Sequence, residues 1–160
     1  MIYNDAPSAE YPDDVSKRDG PSTSAATRPK SVHRYQPMTL RDLAREIAAK
    51  SDEQIRHRLV REFVEEYSWE PAEIKCGLLN EQPSSTNDIR YDAFLAALAE
   101  HLAYHDGLAV PRWTQEGNRF LEQWWFPVTL PSVRTDALVH SPAAFRRRGI
   151  FIGTGALDHV

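Results

Sequence analysis

"NDIRYDAFLAALAEHLAYHDG", residues 87–107, decides the fold. Tyr91, Phe94, Leu95, Leu98 and Leu102 recur at spacings of three and four, which places them on one face of a helix. Thr86 or Asn87 can cap its start, and Gly107 can accept the left-handed backbone that closes its end. The spacing predicts a helix from about Asp88 to Asp106, long enough to serve as the spine of a small helical domain.

Upstream, Thr39 can cap a first helix from Leu40 to Lys50 carrying Leu40, Leu43, Ala44 and Ile47. Ser51 and Gln54 have the spacing of a capping box. A second helix then carries Ile55, Leu59, Val60, Phe63, Val64 and Tyr67 on one stripe. Pro71 suits a helix start and breaks a helix interior, so the chain restarts at Ser68 to Pro71 and forms a short third helix to about Leu79.

Downstream the pieces shorten. Thr114 to about Trp125 and Pro131 to His140 read as helices, and Ser141 with Pro142 opens a last turn or two that Gly149 ends. Ile150 to Ile152 is too short for a surface helix and reads as a small buried strand or docked extended segment. Residues 1–37 hold five of the eleven prolines, few large apolar side chains, and five acidic and five basic residues. Such a segment cannot bury enough surface to offset its chain entropy and reads as a disordered tail. The expected architecture is therefore mainly α: a tail over 1–37 and a single helical domain over 38–160, with a short extended segment near its C-terminal end.

Composition narrows function. Of 160 residues, 19 are Lys or Arg and 23 are Asp or Glu, so no global basic field draws this chain to nucleic acid or an anionic membrane. Cys76 is the only cysteine, which excludes an internal disulfide and fits a reducing compartment. No apolar run approaches the roughly 20 residues of a membrane helix, and the first residues lack the pattern of a signal peptide. A cytoplasmic location is expected.

Candidate chemistry is sparse. His101 and His105 are four apart on the spine helix, within reach of one ion, but no third ligand is evident and Leu102 stands where a zinc-protease motif carries its Glu. They read as histidines bordering the core, and no metal is expected. Gly153 and Gly155 imitate a dinucleotide fingerprint, yet Asp158 stands where its third glycine belongs, so no cofactor is expected. No Ser, Cys or Thr lies in a nucleophile-elbow context, and the carboxylates are scattered over helix surfaces. The chain does not read as an enzyme.

Phe120, Trp124, Trp125 and Phe126 concentrate four large rings in seven residues. Such rings dominate both cores and interface hot spots. Some of them, Trp124 for one, can close the core over the spine helix, while the patch as a whole can face a partner. Arg146, Arg147 and Arg148 fall in the last turn of a helix capped by Ser141, where positive side chains complement its negative end. Three residues in a row fan over roughly 200°, so one or two can touch a partner while at least one is local. A helix-turn-helix can also be sought at Leu43 to Leu59, with Arg56, His57 and Arg58 as DNA contacts. There Gln54 occupies the position such a motif fills with an apolar residue, and Asp52 and Glu53 head the helix that would approach phosphates.

The stretches YDAFLAALAEHLAYHDGLAVPRWTQEGNRFLEQWWFP and SPAAFRRRGIFI resemble the C-terminal region of actinobacterial helix-turn-helix (XRE-type) regulator or antitoxin proteins, often encoded beside a nucleotidyltransferase-like toxin. The resemblance covers about Asn87 to Val160. It rests on the Asp92 to His101 helix, the pair Pro111 and Trp113, the Phe120 to Pro127 aromatic run and Ser141 to Ile152. It implies a non-enzymatic, antitoxin-like domain that neutralises a cognate toxin by direct binding. The anchors under that reading are Trp124, Trp125 and Phe126, with Arg146, Arg147 and Arg148 as charged contacts. Members of the family carry an N-terminal helix-turn-helix of the phage-repressor type. Here the tail and the off-register Leu43 to Leu59 segment occupy its place, which leaves DNA-binding transcriptional regulation, with operator DNA as partner, as the alternative.

Overall fold

The spine helix organises everything that follows. In the computed structural model, which describes residues 35–128, 130–153 and 155–157, six helices occur among the described residues. They are α1 (Leu40–Ala48), α2 (Glu53–Trp69), α3 (Ala72–Asn80), α4 (Ile89–His105), α5 (Pro131–His140) and α6 (Ala143–Arg146). Every residue of α4 from Ala93 to Ala99 is buried, together with Tyr91, Leu102 and Ala103. A helix apolar on nearly all sides belongs inside a domain. Its alanines let neighbours approach closely: α1, α3, α6 and two 3-10 turns all contact it.

Around this spine, α1 contributes Leu40, Leu43, Ala44 and Ile47, and α2 contributes Val60, Phe63, Val64 and Tyr67. Leu78 and Leu79 of α3, then Trp113, Trp125, Phe145, Ile150 and Ile152 complete the core. Helix α5 stands apart, with Ala137 as its buried apolar residue and Leu138 and Val139 exposed. No helix among the described residues is long and apolar enough to cross a membrane.

The ends of the elements follow local chemistry. Thr39 and Asp42 form a reciprocal capping box on α1. At α2 the cap is Asp52 and not Ser51: its carboxylate accepts from the amides of Gln54 and Ile55. A short acid beside a helix N-terminus satisfies orphan amides and the local positive potential together. Asp88 caps α4 by accepting from the amide of Arg90, while Thr86 holds Asp92 at 2.8 Å. Gly107 (φ +65°) closes α4 and Gly149 (φ +74°) closes α6. In both, paired bonds join the residues around the glycine back into the last turn: Leu108 N to Ala103 O at 2.8 Å, and Ile150 N to Phe145 O at 3.1 Å.

Two further expectations fail, beside the caps at Ser51 and at Thr86 or Asn87 that Asp52 and Asp88 replace. Thr114 to Trp125 is not a helix: Arg112–Gln115 and Gly117–Arg119 are 3-10 turns, and the chain then bends at Glu122 and Gln123 before it reaches Trp125. Gly117 and Asn118 weaken a continuous helix there, and tertiary contacts claim Trp113 and Arg119. Ser141 does not cap α6, whose N-cap is Pro142; it ends α5, and its side chain is a clasp. Its hydroxyl accepts from the Ile152 amide at 3.0 Å and lies 3.3 Å from the Ile150 carbonyl, to which it donates. The docked segment 150–152 is buried, and its backbone needs those partners.

The tail boundary also moves. Tyr35 donates its hydroxyl to Glu66, and the Met38 amide donates to the same carboxylate at 3.3 Å. Residues 35–37 therefore belong with α2, and the compact unit begins at Tyr35. The remainder of the expected tail, 1–34, lies outside the described residues.

Candidate protein-binding surface

The aromatic run sorts itself by the period of an extended chain. Trp125 donates its amide to Gly149 O at 2.8 Å, and its carbonyl accepts from Phe151 N at 2.9 Å. These bonds make a one-residue parallel bridge between Trp125 and Ile150. Successive side chains of an extended chain point to opposite faces. Trp125 and Pro127 accordingly turn inward and are buried, whereas Trp124, Phe126 and Val128 turn outward.

Trp125 is a core residue. Its ring stands edge-on to Tyr91 at 5.3 Å and to Phe94 at 6.1 Å, under the Arg90 guanidinium. Trp124 is the opposite case, with 70% of its surface exposed. Phe151 forms the platform beneath the outward rings: Trp124 lies 5.1 Å from it, and Phe126 stacks on it at 5.2 Å. The Arg134 guanidinium of α5 lies over the Phe126 ring, 5.3 Å from its centre. Exposed Leu130, Leu138 and Val139 occur on and just before the same helix. A cavity of about 210 Å³, lined by His57, Val60, Phe94, Pro127, Val128 and Ile152 among others, opens beside Val128.

The arginine triplet divides three ways. Arg146 is exposed. Arg147 pairs with Glu100 at 3.0 Å, donates to Gln115 and covers Phe120. Arg148 is wholly buried: it donates to Thr114 O at 2.7 Å and Ala144 O at 2.8 Å, and it pairs with Glu100 at 2.7 Å. Burial lowers the affinity of its guanidinium for the proton, and the hydrogen bond it donates to Glu100 opposes that shift. Of the six proposed contacts, Trp125 and Arg148 are thus internal, Trp124, Phe126 and Arg146 reach the surface, and Arg147 is partly engaged. Buried side chains cannot anchor a partner without unfolding the site that holds them.

Sequence reasoning missed three parts of this arrangement: Phe151 as platform, and Arg119 and Arg148 as internal struts. Arg119 is 4% exposed and donates to Pro83 O at 3.3 Å, fastening the 3-10 turns to the loop before α4. A signal for Phe151 existed, since residues flanking a bridge share its alternation. For the triplet the fan said only that at least one arginine is local, and nothing marked Arg119, because the carbonyls of Thr114 and Pro83 are distant in sequence.

The helix-turn-helix trio does not form a surface. Arg56 turns inward, donating to Lys50 O at 2.7 Å and to Asp88 at 3.2 Å with its guanidinium over Tyr91. His57 is partly buried, and desolvation holds its imidazole below the usual range. Only Arg58 is exposed, and it pairs with Glu62 at 3.3 Å. His101 and His105 do lie together, with rings 4.4 Å apart beside Phe145. Among the described residues no group of three or more His, Cys, Asp or Glu is arranged to hold a metal ion.

Comparison with protein families, curated proteins and solved structures gives no match for this chain.

Proposed function

We propose that this chain is a non-enzymatic, antitoxin-like protein-binding domain that neutralises a cognate toxin, of nucleotidyltransferase type, by direct contact. The observation that carries the reading is Trp124. A tryptophan with 70% of its surface in water sits beside Phe126 on a platform fixed to the core. Exposed rings on rigid backbone lose little entropy on binding, which is the property of an interface anchor. Arg146 supplies a free charge, and Arg147 supplies one that a partner carboxylate can share with Glu100.

The test is co-expression with the product of the adjacent gene. A complex that co-purifies with the wild-type chain and is lost with Trp124→Ala/Phe126→Ala supports the reading. Absence of any complex with the wild-type chain overturns it.

A further inference from the structure

We propose that residues 124–126 form a strand-addition edge, and that what docks there is an extended, acidic and apolar segment of the partner protein. The inference rests on the protein-binding reading above and adds how the partner is held.

The hydrogen-bonding pattern carries it. Both backbone groups of Trp125 are spent on the 149–151 segment. In an extended chain the groups of the flanking residues point the other way. The amides and carbonyls of Trp124 and Phe126 bond to no other described residue. An edge of unpaired donors and acceptors is a template for another strand, and main-chain bonds are how extended peptides add to one.

The side chains specify the occupant further. Trp124 and Phe126, both outward on one face, meet alternate residues of an added strand and select apolar ones. The cavity beside Val128, at about 210 Å³, is too small for a drug-sized ligand and suits a single apolar side chain. Charge favours acids through the arginines that remain, since Arg119, Arg147 and Arg148 are already paired with Glu116 and Glu100. Arg134 over Phe126 and Arg61 at the cavity have no carboxylate partner among the described residues. The chain bends at Pro127 and Val128, which ends the edge after Phe126, so only a few backbone bonds are on offer. A short edge resists self-association and makes the aromatic anchors necessary for affinity.

The experiment uses the full chain and a display library of random heptapeptides, counter-selected against Trp124→Ala/Phe126→Ala. Recovered peptides are synthesised, and a second version of each is N-methylated at alternate amides. The expected result is enrichment of alternating apolar and acidic residues, with slowed amide exchange at Trp124 and Phe126 on binding. N-methylation, which removes one or two backbone bonds, weakens binding by about tenfold or more. Peptides that bind equally well after N-methylation, leaving both amides exchanging freely, overturn strand addition while side-chain docking stands. Failure to enrich any peptide over the double variant also overturns it, whereas the protein-binding reading is decided separately by the adjacent-gene complex.

Discussion

The Arg148 guanidinium lies 2.7 Å from Glu100 with none of its surface exposed, although it is the third member of an arginine run that looks like a surface patch. One strut thereby joins α4, the turn after α6 and the first 3-10 turn through Glu100, Ala144 O and Thr114 O. The fold holds Arg148 inside and leaves Arg146 exposed.

Removing Glu100 leaves the buried Arg148 charge without its counter-ion, and removing Arg148 strips the strut from Thr114 O and Ala144 O and leaves Glu100 with Arg147 alone. Glu100→Ala and Arg148→Ala each lower stability by about 3–5 kcal/mol, whereas Arg146→Ala stays within about 0.5 kcal/mol. Urea denaturation of the three variants checks the order; equal effects of Arg146 and Arg148 contradict the assignment.

Adjacent tryptophans carry opposite burdens. Trp125→Ala removes a ring packed on Tyr91 and Phe94 and costs about 3–5 kcal/mol, while Trp124→Ala costs under about 1 kcal/mol. Thermal melts of the two variants separate them, and a large loss for Trp124→Ala contradicts its surface role.

Legibility followed periodicity. α4 could be read from Tyr91 to Leu102 because a 3.6-residue period and the closing Gly107 agree, although its cap is Asp88 and not Thr86 or Asn87, and α5 because Pro131 marks its first turn. The segment from Thr114 to Trp125 could not, because its shape is set by Arg119 and Arg148 reaching carbonyls distant in sequence. Spacing placed the four rings together, but only the bridge to Ile150 fixed which of Trp124 and Trp125 turns outward. Likewise Arg56 read as a DNA contact because Asp88, its partner 32 residues later, is invisible to local pattern.

Acid acts through His101. Burial, then the neighbouring His105, brings its imidazole down to about 4. The unfolded chain takes up that proton near the ordinary value of about 6.5. Stability is therefore full above about pH 6.5 and declines as the pH falls toward 4. Asp42 and Asp88, both held below the usual carboxylate value by hydrogen bonds first, add their loss at still lower pH. Urea midpoints at pH 7.5 and 4.5 fall less for His101→Gln than for the wild type; equal falls contradict the assignment.

Gly149 closes α6 with φ +74°, and an added Cβ there makes only ordinary contacts, the nearest with Leu121 O at 3.5 Å. The cost of Gly149→Ala is thus conformational, about 1–2 kcal/mol, without a steric addition. A loss well beyond that in urea denaturation contradicts this reading of the turn.

The central claim is that Trp124 anchors a protein partner on an otherwise self-sufficient fold. Titration calorimetry of the purified adjacent-gene product against the wild-type chain and Trp124→Ala tests it most directly. The predicted result is a weakening of about 30-fold or more, the loss of a hot-spot side chain, with the variant's melting temperature little changed. Equal affinity of the two chains contradicts it.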